Sequence, residues 1–259
     1  MKNTDSILNV ASYNIRNDNK GDGINAWSNR REWLRDLLDY HEFDVVGVQE
    51  ALVHQLEFLT EGRFDFVGIG RDDGEKAGEF APILFDRNRF ETQDSGTFWL
   101  SETPEVPSKS WDSSLNRICT WACLRNRATG KSFFTFNTHF DHQGSIAREK
   151  AAEIILQKIA AIAGENPFFL TGDFNLTPDT APIQRLSAAL RNARTVTETK
   201  PYGPFGTFNG FDIMCPLDTL IDHIFVSPDV TVLRYAVLPD NWALRYPSDH
   251  LPVTIRAEF

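Results

Sequence analysis

Apolar positions along this chain switch between two periods, and the switches mark out its elements. Residues 7–15 alternate and predict a strand that ends on Tyr13, Asn14, Ile15 and Arg16. A polar loop follows over 17–25, with Gly21 and Gly23. Residues 27–40 then predict a helix, because Trp33 with Leu37 and Leu34 with Leu38 stack on one face. The apolar run 44–48 predicts a second strand, closed by Gln49 and Glu50, and a helix is expected over 51–59. Strands follow at 64–69 and 80–85. Residues 101–116, rich in Pro, Ser and Asp, read as a surface loop. Segments 118–124 and 132–138 predict a hairpin across the turn-forming stretch 126–130. The clearest helix is 147–163, with Ala151, Ile155, Ile159 and Ile162 as its stripe, Ser145 as its expected N-cap and Gly164 as its stop. Phe168, Phe169 and Leu170 predict a short buried strand between Pro167 and Gly172. A helix over 177–190, an aromatic and glycine-rich loop over 203–210, and strands at 219–226, 230–238 and 252–259 complete the pattern.

The ends of these strands carry most of the chemistry. Asn14, Glu50, His139, Asp173 with Asn175, Asp222, and Asp249 with His250 each sit at or beside a strand end, where a rigid element aims a side chain that the following loop leaves accessible. Singly, each also reads as turn or cap chemistry: an Asx-turn at Asp173 and Asn175, a first-turn acid at Glu50, a core imidazole at His139. Together they form a set of hard oxygen ligands with two imidazoles and almost no sulfur. That set suits Mg²⁺ or Mn²⁺ and is poor for structural zinc. Metal-assisted phosphoryl transfer uses such parts: a cation to polarise the phosphate, a carboxylate to activate water, an imidazolium to donate to a phosphoryl oxygen.

Composition narrows the partners. The chain has 259 residues, enough for one large α/β or two-sheet domain, and nothing in it reads as a linker, so residues 1–259 are expected to form a single catalytic domain. The formal net charge is −10, which repels polyanions at long range and disfavours tight, non-specific duplex binding. No basic helix stands ready to track a nucleic-acid backbone; Arg30 with Arg31 and Arg125 with Arg127 read as solvated faces. Cys119, Cys123 and Cys215 are too scattered for a disulfide framework and are expected as small buried hydrophobes. No apolar run reaches membrane-spanning length or resembles a signal peptide, so a cytoplasmic protein is expected, with a secreted protein whose signal has been removed as the alternative. Gly68, Gly70 and Gly74 lack the spacing and the following helix of a dinucleotide loop.

Six segments, in order, carry a family resemblance: Ser-Tyr-Asn-Ile-Arg (12–16), Val-Gln-Glu (48–50), Asn-Thr-His (137–139), Gly-Asp-Phe-Asn (172–175), Ile-Asp-His-Ile (221–224) and Ser-Asp-His-Leu-Pro (248–252). With them the chain resembles the endonuclease/exonuclease/phosphatase superfamily, also described as deoxyribonuclease I-like. The resemblance implies a four-layer α/β sandwich of two mixed, largely antiparallel sheets with helices outside. It implies Glu50 as principal metal ligand, with Asn14 and Asp249 beside the metal. It implies Asp173 to orient or deprotonate water, Asn175 to hold water or phosphate, and His250, oriented by Asp222, on the scissile phosphate. His139 would be a second phosphate-facing imidazole, oriented by Glu79, with both carboxylate–imidazole pairs favouring imidazolium. Arg117 is a candidate phosphate contact, and Phe208 and Asn209 are candidate substrate-pocket residues. His142 is expected to tie down its loop, and His223 to face away from Asp222 along its strand. The expected activity is Mg²⁺- or Mn²⁺-dependent hydrolysis of a phosphodiester, as a nuclease or a small-molecule phosphodiesterase. A lipid-headgroup or sugar phosphatase of the same fold, and a non-catalytic binding module, stand as alternatives.

Overall fold

The computed structural model describes residues 6–259. One sheet runs in the order β11 (Thr231–Val237), β12 (Val253–Glu258), β1 (Ile7–Asn14), β2 (Val45–Gln49), β4 (Ile83–Asp86), β3 (Phe64–Val67). The other runs β5 (Phe90–Trp99), β6 (Ile118–Asn126), β7 (Ser132–His139), β8 (Phe168–Asp173), β10 (Asp222–Val226), β9 (Arg191–Asn192). In each sheet the two middle strands, β1 with β2 and β7 with β8, are parallel, and the other pairings are antiparallel. A parallel pair needs a crossover, and helices supply both. α1 (Trp27–Tyr40) leads from β1 to β2, and α3 (Ser145–Ile162) leads from β7 to β8.

Three apolar layers follow from this order. Leu8, Val10, Val45, Phe133, Phe169 and Val253 fill the space between the sheets. Leu34, Leu37 and Leu38 of α1, with Leu56 and Leu59 of α2 (Val53–Leu59), cover the outer face of the first sheet. Ala151, Ile155 and Ile159 of α3, with Ile183 and Leu186 of α4 (Ala181–Ala189), cover the second. The result is the expected four-layer sandwich. α5 (Ala193–Val196) is a single turn against β10 and β11.

The sheets also meet through a buried polar link beneath their common end. Gln49 Nε2 donates to Asn137 Oδ1 at 2.6 Å, and Thr171 Oγ1 donates to the same oxygen at 3.1 Å. Asn137 Nδ2 reaches the carbonyls of Val48 (2.7 Å) and Pro82 (2.8 Å). Gly47 makes room for this approach, because a Cβ there would lie 1.9 Å from Thr171 Oγ1 and 2.5 Å from Asn137 Oδ1.

Several sequence expectations need correction. β5 was not predicted because its middle is solvent-facing and bulged between Thr92 and Asp94, which erases the alternation. Ser145 is the first helical residue of α3, and its N-terminus is capped from the 101–116 loop instead. Asp112 accepts from the backbone of Ala147 at 2.8 Å and of Ile146 at 3.2 Å. Ile162 is half-buried, and of the cysteines only Cys119 is buried. α4 starts at Ala181, later than the pattern suggested, where Pro182 fits the first turn and residues 177–180 form a turn. β10 starts at Asp222, and residues 219–221 are irregular. Arg30 is no solvated face. It is 1% exposed, and its guanidinium serves the carbonyls of Ile15, Arg16, Asn17, Asn25 and Pro247.

Candidate active site

The two parallel pairs bring their carboxyl ends to the same edge of the sandwich. Asn14 ends β1, and Glu50 follows β2 in a left-handed conformation (φ 63). His139 and Asp173 end β7 and β8 and are register partners. Asp222 opens β10 directly opposite Asp173. Asp249 and His250 lie in the turn before β12, so residues from both sheets meet over the Gln49–Asn137 link.

Asn14 joins the two halves. Its Nδ2 donates to Glu50 Oε1 at 3.1 Å and to Asp173 Oδ2 at 3.0 Å. Its Oδ1 accepts from the backbone of Arg16 at 3.0 Å. Asn14, expected beside the metal, thus bridges the two carboxylates through its amide while its carbonyl oxygen accepts from the backbone. His250 Nδ1 is 2.8 Å from Asp222 Oδ2, the expected orienting bond, and its Nε2 is 3.8 Å from Asp173 Oδ2. Phe208 packs edge-on against the His250 ring at 5.2 Å between centroids. Asn175, also left-handed (φ 51), donates from its backbone to Asp173 Oδ1 and from Nδ2 to His139 Nε2 at 3.1 Å.

The expected Glu79–His139 pair is not made. Glu79 accepts from Arg71 Nη1 at 2.6 Å and from Asn17 Nδ2 at 3.0 Å, while His139 Nδ1 has no protein partner among the described residues. Burial, then the charges of Arg117 and Arg71, hold the His139 imidazole well below its ordinary range, so it is neutral rather than an imidazolium. His250 goes the other way. Burial opposes its charge, but the carboxylates of Asp222 and Asp173 outweigh burial and raise it well above the ordinary value. Asp173 is pushed up to about 7, first by burial and then by Asp222. Asp249 is raised by burial and by the neighbouring Glu50.

The remaining expected residues divide. Arg117 is 5% exposed and lines the pocket, with Nη2 3.2 Å from His142 Nδ1 and Nη1 without a hydrogen-bond partner among the described residues. His142 therefore does steady this wall. Phe208 lines the pocket as well. Asn209 does not. It is buried behind the site, holding the backbone of Ser248 and Asp249. His223 faces away as expected, bonded to the Leu176 carbonyl. Sequence reasoning missed Arg16 and Asn17 as pocket residues, although Arg16 closes the first of the quoted segments. It also missed Arg71, for which the pattern held no signal.

Two groupings could receive a cation. Glu50 and Asp249 supply hard oxygens at the pocket floor, and their mutual repulsion is the electrostatic condition a divalent ion relieves. Asp173, Asp222 and His250 lie within 4.8 Å of one another, but their contacts are those of a carboxylate–imidazole–carboxylate chain. Glu50, Asp173, Asp249 and His250 line one cavity of about 460 Å³. Among the described residues no helix is long and apolar enough to cross a membrane.

Comparison with known proteins identifies the family. The model of the Endonuclease/Exonuclease/phosphatase family matches residues 11–250. A mannosyl-6-phosphatase from Bacteroides thetaiotaomicron is 38% identical, covers 97% of this chain and 100% of its own, and superposes with a TM-score of 0.94. A second protein from the same organism, described as an endonuclease/exonuclease/phosphatase family protein, is 39% identical over 98% of both chains, also with a TM-score of 0.94. The catalytic domain of human nocturnin, 17% identical over 98% of this chain and 94% of its own, shares the fold with a TM-score of 0.77. This chain therefore belongs to the endonuclease/exonuclease/phosphatase family, whose members are phosphoester hydrolases.

Proposed function

We propose that this protein is a divalent-metal-dependent phosphoesterase acting on a small-molecule phosphate ester, with a sugar phosphate as the favoured class. The Asp222–His250–Asp173 chain beside the Glu50–Asp249 carboxylates is the observation that carries the reading. Glu50 and Asp249 fit Mg²⁺ or Mn²⁺ by their donor chemistry; the bound ion would polarise the phosphoryl group. Asp173, once ionised, orients water and takes its proton. His250, held by Asp222, donates to a phosphoryl oxygen or to the leaving group. Neutral His139 and Asn175 fix the Asp173 side of the pocket. Arg117 offers its unpartnered Nη1 to the phosphate.

Three observations favour a small substrate over a nucleic acid. The cavity of about 460 Å³ is of small-ligand size, with Leu115 and Phe208 as apolar walls. The net charge is −10. The neighbour described as a mannosyl-6-phosphatase matches nearly the whole chain. The test is hydrolysis, with Mg²⁺ or Mn²⁺, of hexose 6-phosphates, an aryl phosphate, an aryl phosphodiester, RNA, and single- and double-stranded DNA. EDTA and His250→Ala serve as controls. Turnover of a sugar phosphate that both controls abolish is expected. Preferred turnover of nucleic acid would return the phosphodiesterase reading to first place.

A further inference from the structure

The segment after β1 restrains one guanidinium far more than a rim arginine needs. Arg16 sits in the left-handed region (φ 57), disfavoured for a non-glycine residue and kept only where neighbours impose it. They do so here. Its carbonyl accepts from Arg30 Nη2 at 2.7 Å and from Gln55 Nε2 at 3.0 Å, and its backbone N–H is held by Asn14. Asp22, from the 3-10 turn Lys20–Asn25, grips the head with two parallel bonds, to Nε at 3.0 Å and to Nη2 at 2.9 Å. This fork uses one edge of the guanidinium. The other edge, Nη1, makes no hydrogen bond among the described residues, and it stands 3.9 Å from Glu50 Oε2. Nε is 3.8 Å from Asp249 Oδ2. A braced donor edge is thus fixed beside the two carboxylates of the pocket floor.

A phosphate monoester differs from a diester in having a third terminal oxygen and a second negative charge. With His250 serving the leaving group, the proposed function provides for two terminal oxygens, through the floor carboxylates' cation and Arg117. We infer that Arg16 receives the third, and so selects phosphate monoesters over diesters, with Asp22 as the residue that positions it. The inference rests on the phosphoesterase reading and adds the residue that sets the class of ester. Arg suits this role better than Lys because the Asp22 fork fixes its plane and leaves an edge pointing outward.

The test compares wild type, Arg16→Met, Arg16→Lys and Asp22→Asn on an aryl phosphate and on its methyl diester with the same leaving group. Arg16→Met should lower kcat/KM for the monoester at least tenfold more than for the diester, with Arg16→Lys between. Asp22→Asn should raise the monoester KM more than it lowers kcat. Orthophosphate binding, read by titration calorimetry, should weaken at least fivefold in Arg16→Met, with Mg²⁺ affinity within about threefold of wild type. Equal losses on both esters, or unchanged orthophosphate affinity, would overturn the inference. If wild type turns over neither ester, the phosphoesterase reading is the one in difficulty, and the orthophosphate titration still decides the role of Arg16. Should Arg16→Met misfold, Asp22→Asn carries the same comparison.

Discussion

Gly47→Ala puts the junction of the two sheets to a direct test. The added Cβ would meet Thr171 Oγ1 at 1.9 Å and Asn137 Oδ1 at 2.5 Å, so something must move. Thr171 Oγ1 cannot retreat freely, because its single hydroxyl proton is shared between the Phe136 carbonyl and Asn137 Oδ1, each at 3.1 Å. Overpacking of this kind costs about 1–3 kcal/mol, and each hydrogen bond lost from Asn137 adds about 1 kcal/mol. With one such bond lost the sum, roughly 2–4 kcal/mol, predicts a Tm lower by about 4–16 °C for a chain of this size. Catalysis should suffer as well, since Glu50 follows Gly47 closely and His139 and Asp173 lie two residues beyond Asn137 and Thr171. A displacement near 1 Å between the halves would cost on the order of 10² in turnover. Thermal unfolding and metal-dependent hydrolysis measure both effects, and Thr171→Ala in the same background should recover part of each. A Gly47→Ala protein with unchanged Tm and turnover would show that the sheets are not held together at this point.

Three further outcomes are expected. Arg30→Met strips donors from five carbonyls, of which those of Ile15, Asn25 and Pro247 have no second donor among the described residues. It should cost about 3–5 kcal/mol in chemical denaturation, and a loss under 1 kcal/mol would refute the cage. Asp222→Asn should lower kcat by about 10²–10⁴ with Mg²⁺ affinity nearly unchanged; if calorimetry instead shows lost Mg²⁺ binding, the Asp173–Asp222–His250 group is itself the cation site. The third concerns pH. Asp173 keeps its proton up to about 7 and His250 keeps its own well above the ordinary value, so each binds a proton more tightly folded than unfolded. Stability from Asp173 is therefore lost as pH rises toward about 7, and that from His250 as pH rises through its raised value. The metal-free Tm should fall as pH rises from about 4 to about 7 through Asp173 and go on falling above the ordinary imidazole range through His250, Asp173→Asn should flatten the lower part of that fall, and Mg²⁺ should reverse it. A flat metal-free profile would count against both assignments.

The sandwich was legible because both parallel pairs announce themselves twice, as apolar runs and as polar residues at their ends. Glu50 after 44–48 and Asp173 after 168–170 needed no knowledge of the partner sheet. Legibility failed where the deciding contact is distant in sequence. Asp112 caps α3 from 33 to 35 residues away, and no helix-start pattern encodes a cap supplied by another loop. Arg30 reads as one more charge on an amphipathic helix until its five carbonyl partners surround it. Glu79 was assigned to His139, but Arg71 and Asn17 claim it first. Asn209 looked like a pocket residue by position, and its side chain turns to the Ser248 carbonyl instead.

β12 has a consequence in time as well as in space. It lies between β11 and β1, pairing Ile7 with Glu258 and Ser12 with Val253. Arg30 crosses the same gap to the Pro247 carbonyl. β1 thus waits for β12 to be made before its sheet closes, and Asp249 arrives only then to face Glu50. A nascent chain would hold Asn14, Glu50 and Asp173 without the turn that completes them. Catalytic competence should appear abruptly once β12 docks, at the end of a slow search dominated by long-range pairing.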